Sequence, residues 1–290
     1  MNTPTRALIL TTLVGCALAV PGVAADRVSL TTIDAKLDDL LAVVGADGSS
    51  VVTIDKDCAV VTGCHAGDAP GYPVTTVAGQ SYRLTSDLDL TATPDLDAVL
   101  LERDTTLDLN GFRIFGGTTC TDSPATCTSA GIGDGITGAE GARVMNGSVV
   151  GVGAVGIRLR NGMQVENMLV THAGDDGMQG QCQGCRIIGN RVIENGDRGI
   201  HTAFASSQGA LIQGNTVAGN NFVGIDSCER CMHLDNVVFS NGGFGLRNLG
   251  LGGSAYGRNT FYDNNAGGDQ VESGGVEIAP NVCSGNTICP

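Results

Sequence analysis

CRIIGNRVIENGDRGI, residues 185–200, is the stretch that decides the fold, because the chain repeats it. ALIQGNTVAGNNFVGI follows at 210–225, CMHLDNVVFSNGGFGL at 231–246 and SAYGRNTFYDNNAGGD at 254–269. The four copies start 21 to 25 residues apart and carry Asn at their sixth position: Asn190, Asn215, Asn236 and Asn259. A Gly follows each of these nine residues later, and a weaker copy precedes them with Asn167 and Gly177-Met178. A fixed period in this range means stacked, equivalent structural units.

The unit has no helical face. Short apolar bursts such as Ile187-Ile188, Val192-Ile193 and Val237-Val238-Phe239 alternate with Gly, Asn and Asp clusters. That pattern predicts short strands and tight turns. Two or three strands in each unit make a coil of parallel β-helix, with rungs about 4.8 Å apart. Two Asn columns, at 190/215/236/259 and at 195/220/241/264, then suit amide ladders running along the stack.

On these residues, roughly Val74 to Asp269, the chain resembles the right-handed parallel β-helix superfamily. The segment Leu107–Phe115 (LDLNGFRIF) resembles an early coil of its secreted members. The resemblance implies an all-β fold, a single right-handed parallel β-helix. It leaves activity open, since this superfamily hosts lyases, hydrolases, epimerases and adhesins.

Composition agrees with a solenoid. The chain has 290 residues, 44 Gly, four Tyr and no Trp, which suits many turns around a thin aliphatic core. A net charge of −14 argues against nucleic acid and anionic membrane surfaces as partners. It also disfavours a polyanionic substrate unless Ca²⁺ or a local Arg cluster inverts the field.

Four segments are expected: a signal peptide at 1–25, an N-terminal cap at 26–73, the β-helix at 74–269 and a C-terminal cap at 270–290. Arg6, the apolar run Ala7–Val20 and Val23-Ala24-Ala25 read as an export signal, with Asp26 as the mature start. Leu13-Val-Gly-Cys16 also resembles a lipobox, which would put a lipid anchor on Cys16. No other stretch is long and apolar enough to cross a membrane. Within the cap, Ile33, Leu37, Leu40, Leu41 and Val44 recur at helical spacing, so a short helix over Ser29–Val44 would cover the open end of the stack. The expected location is secreted, periplasmic or at the cell surface.

Beyond Cys16, ten cysteines fall into neighbouring pairs: Cys58/Cys64, Cys120/Cys127, Cys182/Cys185, Cys228/Cys231 and Cys283/Cys289. An even count in an exported chain predicts disulfides. The two CxxC motifs could instead form a zinc site. However, Cys185 and Cys231 lie two rungs apart, roughly 9–10 Å, which favours a local disulfide in each motif.

Chemistry is sought where ionisable residues gather. Ile157, Met178, Ile200, Ile225 and Leu246 occupy one inward column, so the next residues point outward: Arg158, Gln179, His201, Asp226 and Arg247. Two steps before the inward residue stand Val155, Asp176, Arg198, Val223 and Phe244. Asp175, Asp176, Arg198, His201 and Asp226 therefore share one patch and are the candidate catalytic residues. Arg158, Gln179, Arg247 and His172 are candidate substrate contacts. His172 is placed at the position where later coils carry the second ladder Asn. His233 shares a column with Ile187, Ile212 and Tyr256 and reads as a core histidine.

Gly174-Asp-Asp-Gly-Met178 resembles the paired-Asp element of polygalacturonases, which implies catalytic roles for Asp175 and Asp176. The chain departs from that family at Val155 and Arg198, positions where the family has an Asp and a His. Pectate lyases carry Ca²⁺-binding Asp residues on this strand, so Ca²⁺ is the one cofactor the resemblance raises; no other metal or cofactor is expected. The functional expectation is binding or processing of a polysaccharide or cell-surface glycan. Hydrolysis would use two carboxyl groups. Elimination or epimerisation would use His201 as base and Arg198 or Arg247 as cation. The alternative is a non-catalytic surface or adhesion solenoid. In that case Asp176–Arg198 and His201–Asp226 are cross-rung ion pairs that only steady the stack.

Overall fold

A computed structural model describes residues 51–248, 253–272, 274–284 and 289. The expected signal peptide, lipobox and capping helix fall outside the described residues.

The repeat folds into a parallel β-solenoid. One side is an eight-stranded parallel sheet: Val74–Thr75, Val99–Leu100, Ile136–Thr137, Ile157–Leu159, Met178–Gly180, Ile200–His201, Ile225–Ser227 and Leu246–Asn248. The rest of each coil contributes to a seventeen-stranded sheet. Within a typical rung, two short strands such as Arg186–Ile188 and Arg191–Ile193 are separated by a turn.

Three columns of side chains fill the interior. Ile157, Met178, Ile200, Ile225 and Leu246 come from the eight-stranded sheet. Val165, Ile187, Ile212, His233 and Tyr256 form the second column. Val170, Val192, Val217, Val238 and Phe261 form the third. All are buried. The repeated glycine has a steric cause. A Cβ on Gly199 would stand 2.4 Å from Val217 Cγ1 and 2.6 Å from the Gly224 carbonyl oxygen.

The asparagines form the expected ladders inside the turns. In the first ladder, Oδ1 of Asn215, Asn236, Asn259 and Asn281 each accepts the backbone N–H and Nδ2 of the preceding member. Glu277 Oε1 closes that ladder on Asn281. In the second, Asn195, Asn220, Asn241 and Asn264 repeat the pattern and Gln270 Oε1 closes it. Except at the last member, Asn281, each Nδ2 also donates to a carbonyl of a neighbouring rung, as Asn236 does to Ile212. These buried amides are therefore satisfied along the stack.

Two alignments shift by one residue. Asn167 is not a ladder member: its φ of 54° puts it at the left-handed position later held by Gly189, and Met168 N–H meets Asn190 Oδ1. Likewise His172, with φ 56°, matches the left-handed Glu194, while Ala173 N–H meets Asn195 Oδ1. His172 thus sits on a turn beside Glu194, with Nε2 3.0 Å from Glu194 Oε2.

The stack extends past the visible period at both ends. Val52–Ile54, in the expected cap, pairs in parallel with Tyr82–Leu84. Val276–Glu277 and Val282–Cys283 pair with the last full repeat. All five cysteine pairs are disulfides: Cys58–Cys64, Cys120–Cys127, Cys182–Cys185, Cys228–Cys231 and Cys283–Cys289. Paired in this way, the CxxC cysteines present no free thiolate to a zinc ion.

The Cys120–Cys127 hairpin, Thr119–Thr121 with Thr126–Thr128, leaves the coil and lies along the turns of later rungs. Ala125 N–H donates to Gly219 O at 2.7 Å, and Ser129 Oγ reaches Gly153 O at 2.5 Å. Gly174 makes room for it, because a Cβ there would stand 2.9 Å from Ser129 Oγ.

Candidate functional site

The outer face of the eight-stranded sheet carries a continuous polar strip. It begins where Asp134 accepts from Arg158 Nε and Nη2. Arg158 Nη1 donates to Gln179 Oε1 at 3.0 Å, and Gln179 Nε2 donates to Asp176 Oδ2 at 2.6 Å. The same Asp176 oxygen lies 2.8 Å from His201 Nδ1, while Asp176 Oδ1 accepts the Arg198 backbone N–H at 2.8 Å. Further along, Asp226 pairs with Arg247, which approaches Glu272 at 4.0 Å. Arg198 Nε lies 3.1 Å from Asp226 Oδ2, outside hydrogen-bond alignment.

Both expected cross-rung pairs are present at the long end of ion-pair distance, and each member has a closer partner. Arg198 Nη1 stands 3.8 Å from Asp176 but only 2.9 Å from Asp197. His201 Nε2 is 3.9 Å from Asp226 Oδ2, so the ring is oriented by Asp176 rather than by Asp226. Asp176 and Asp226 belong to the strip yet their side chains are 0% exposed. The outward alternation of strand residues does not reveal this cover, which the long Arg198 and Arg247 side chains supply. His201 keeps 14% of its side chain exposed and stacks on Phe204 at 4.5 Å between centroids.

A second column runs beside the strip. Asp175 N–H donates to Ala154 O, Asp197 to Asp175 O, Phe222 to Asp197 O and Gly243 to Phe222 O. Asp175, Asp197 and Phe222 thus stand on three successive rungs. Burial raises the Asp175 carboxyl pKa above the usual range, and the Asp176 and Asp197 carboxylates raise it further. Burial likewise raises Asp197, again helped by Asp176. Asp197 contacts the Arg198 guanidinium at 2.9 Å; among the described residues, no hydrogen bond or ion pair reaches the Asp175 carboxylate.

Oxygens of Asp175, Asp176 and Asp197 approach within 4.8 Å of one another. They make a poor Ca²⁺ site. Asp176 already accepts from Arg198, Gln179 and His201, and Arg198 occupies Asp197. Ca²⁺ takes six to eight oxygen ligands, and cationic donors stand where some of these would be.

The face brings together Asp175, Asp176, Arg198, His201, Asp226, Arg158, Gln179 and Arg247, and leaves His172 on its turn. Sequence reasoning missed Asp134, Asp197 and Phe222. Asp134 stands one period before Val155, so the column of Asp176 offered a signal. Asp197 and Phe222 occupy the turn column, where strand alternation gives no direction. His233 is buried as expected, with Nε2 2.6 Å from Ser227 Oγ, and burial lowers its pKa to about 3.

Residues 130–289 match the family described as right handed beta helix region. The chain belongs to that family. No curated protein matches it. Among solved structures, the A-module of a mannuronan C-5 epimerase from Azotobacter vinelandii is 15% identical, with 86% of this chain and 77% of that chain covered and a TM-score of 0.40. A pectate lyase is 16% identical, covering 82% and 77%, at 0.46. The Dettilon tailspike protein is 12% identical at 0.47; 91% of this chain is covered, but only 57% of the tailspike. All three scores fall below 0.5, so none bears on the site.

Proposed function

We propose that this chain is an exported glycan-processing β-helix protein of the glycoside hydrolase type. The observation that carries the reading is the Asp175–Asp197 pair, half-buried carboxyl groups in adjacent rungs whose pKa values are both raised. Two carboxyl groups this close resist ionising together. Asp175 has no cation in contact and is the first of the two to take up a proton as pH falls; Asp197 holds its charge longer beside Arg198. A protonated carboxyl donates its proton to the glycosidic oxygen as the bond breaks. The ionised partner meets the positive charge that develops on the sugar ring, and water completes the reaction: its oxygen bonds to the anomeric carbon and its proton restores the acid.

The other residues act around this pair. Asp176 fixes the His201 ring through Nδ1, which leaves Nε2 free to bind a sugar hydroxyl. Asp226, Arg247, Gln179 and Arg158 hold the strip in register. Elimination or epimerisation fits less well: both need a free cation against the substrate carboxylate, and Arg198 and Arg247 are committed to Asp197 and Asp226.

Five disulfides suit an oxidising compartment and hence a cell-surface or extracellular glycan as partner. Export through residues 1–25 belongs to the same reading, and N-terminal sequencing of the mature protein should begin at Asp26. The activity is tested by release of reducing ends from a panel of neutral and uronic-acid glycans. The wild type should cleave at least one and Asp175→Asn should not. Equal release by both proteins sinks the reading.

A non-catalytic spacer is the second reading. It is favoured by Asp176 and Asp226, which are buried and saturated by partners as in a structural ion-pair strip. Absence of cleavage and of binding across the panel would support it.

A further inference from the structure

Phe222 is the one aromatic among the large apolar side chains left exposed by the described residues, at 39%. It continues the column of Asp175 and Asp197, about 4.8 Å beyond Asp197 along the stack. The ring is held in place. Arg198 and Arg247 guanidinium carbons lie 5.4 and 5.5 Å from its centroid, and each guanidinium is anchored to a carboxylate. It rests over Gly243, where an added Cβ would stand 3.3 Å from Phe222 Cδ2. An exposed ring fixed in this way has no structural partner to cover it, and it adjoins the carboxyl pair.

The charge around it is one-sided. Asp134, Asp175, Asp176, Asp197, Asp226 and Glu272 are six acids, against three cations, Arg158, Arg198 and Arg247. Each of these cations already contacts a carboxylate. An incoming polyanion would meet a surplus of carboxylates and would have to displace an existing pair to gain a cation. An uncharged sugar carries no such penalty, and its apolar C–H face stacks on an aromatic ring.

We propose that Phe222 is the stacking platform of a glycan subsite, and that the ligand is an uncharged polysaccharide lying along the solenoid axis, over Phe222 and then Asp197 and Asp175. The inference rests on the glycan-processing reading above and assigns its substrate class. It separates this face from a uronate-binding one, where free guanidinium groups would be required.

The test is binding measured by calorimetry for cellohexaose, xylohexaose, mannohexaose and hexagalacturonate, with Phe222→Ala, Phe222→Tyr and Asp175→Asn. At least one neutral hexasaccharide should bind the wild type more tightly than hexagalacturonate. Phe222→Ala should weaken it about tenfold, the loss of one stacking contact, and Phe222→Tyr should retain it. Thermal melting of both variants keeps lost folding apart from lost binding. Tighter binding of hexagalacturonate, unchanged neutral binding in Phe222→Ala, or no binding of any probe overturns the proposal. The two readings fail differently. If Phe222-dependent neutral binding persists without cleavage, hydrolysis falls and the subsite stands. If hexagalacturonate is cleaved in an Asp175-dependent way, the subsite assignment falls and hydrolysis stands.

Discussion

The asparagine ladders inside the turns and the charged strip outside the eight-stranded sheet use the same rung spacing in opposite ways. In the ladders, one residue type makes the same bonds at every step, and each amide is satisfied by its neighbour. Along the outer face the residue type changes at every rung, from Thr137 through Arg158, Gln179 and His201 to Asp226. The uniform column serves the stack. The mixed column next to it leaves Asp175 without a partner, Asp197 raised in pKa and Phe222 exposed. Groups that cost folding energy in one place, beside columns that minimise it, are what make this face the candidate site.

The largest expected effect lies on the outside. Asp175→Asn should lower glycan cleavage about a hundred- to ten-thousandfold, the range for loss of a general acid, with binding of uncleaved oligosaccharide retained. A variant that cleaves at the wild-type rate would reduce the outer column to decoration.

Inside, Asn236→Ala should cost about 3–4 kcal/mol in a urea melt, because it orphans buried partners on both neighbouring rungs. A loss below about 1 kcal/mol would mean that water replaces the ladder and that the two columns do not differ as described.

The core column gives a pH signature. His233 is neutral in the fold, with its pKa lowered to about 3 by burial, against an ordinary value near 6.5. Its stabilising contribution is complete above the unfolded value and is lost as pH falls from there towards 3. The loss should reach about 3 kcal/mol by pH 4. Denaturant melts of His233→Leu should show a flatter acid limb than the wild type; parallel limbs would remove His233 from the account.

The smallest effect is expected away from both columns. Arg113 pairs with Asp87 at 2.9 Å, but both side chains are well exposed. Arg113→Ala should change stability by no more than about 0.5 kcal/mol. A larger change would show that outer ion pairs in general carry the stack.

The period made the ladders legible because identical residues recur at identical positions. Columns on the strands were equally legible: Ile187, Ile212, His233 and Tyr256 align as their spacing implies. Three things were not. The turn column of Asp197 and Phe222 has no alternation to give its side chains a direction. Burial of Asp226 depends on Arg247 and Arg198 folding back over it, a property of side-chain length rather than register. The terminal strands Val52–Ile54 and Val282–Cys283 pair with the stack but lack the full repeat motif that announces the central coils. The patch itself was legible because Asp176, Arg198, His201 and Asp226 are ionisable breaks in otherwise regular columns.

The most direct test of the contrast needs no substrate. It is the urea midpoint, at neutral pH, of the double variant Asp175→Asn with Asp197→Asn, compared with wild type and Asn236→Ala. Burial and neighbouring carboxylates raise both Asp pKa values, so the ionised pair opposes folding above the ordinary carboxylate range and that opposition is relieved as pH falls. The double variant, neutral at both positions, should be as stable as wild type or more so, while Asn236→Ala melts early. A double variant that loses as much stability as Asn236→Ala would make the outer column another structural ladder and contradict the account.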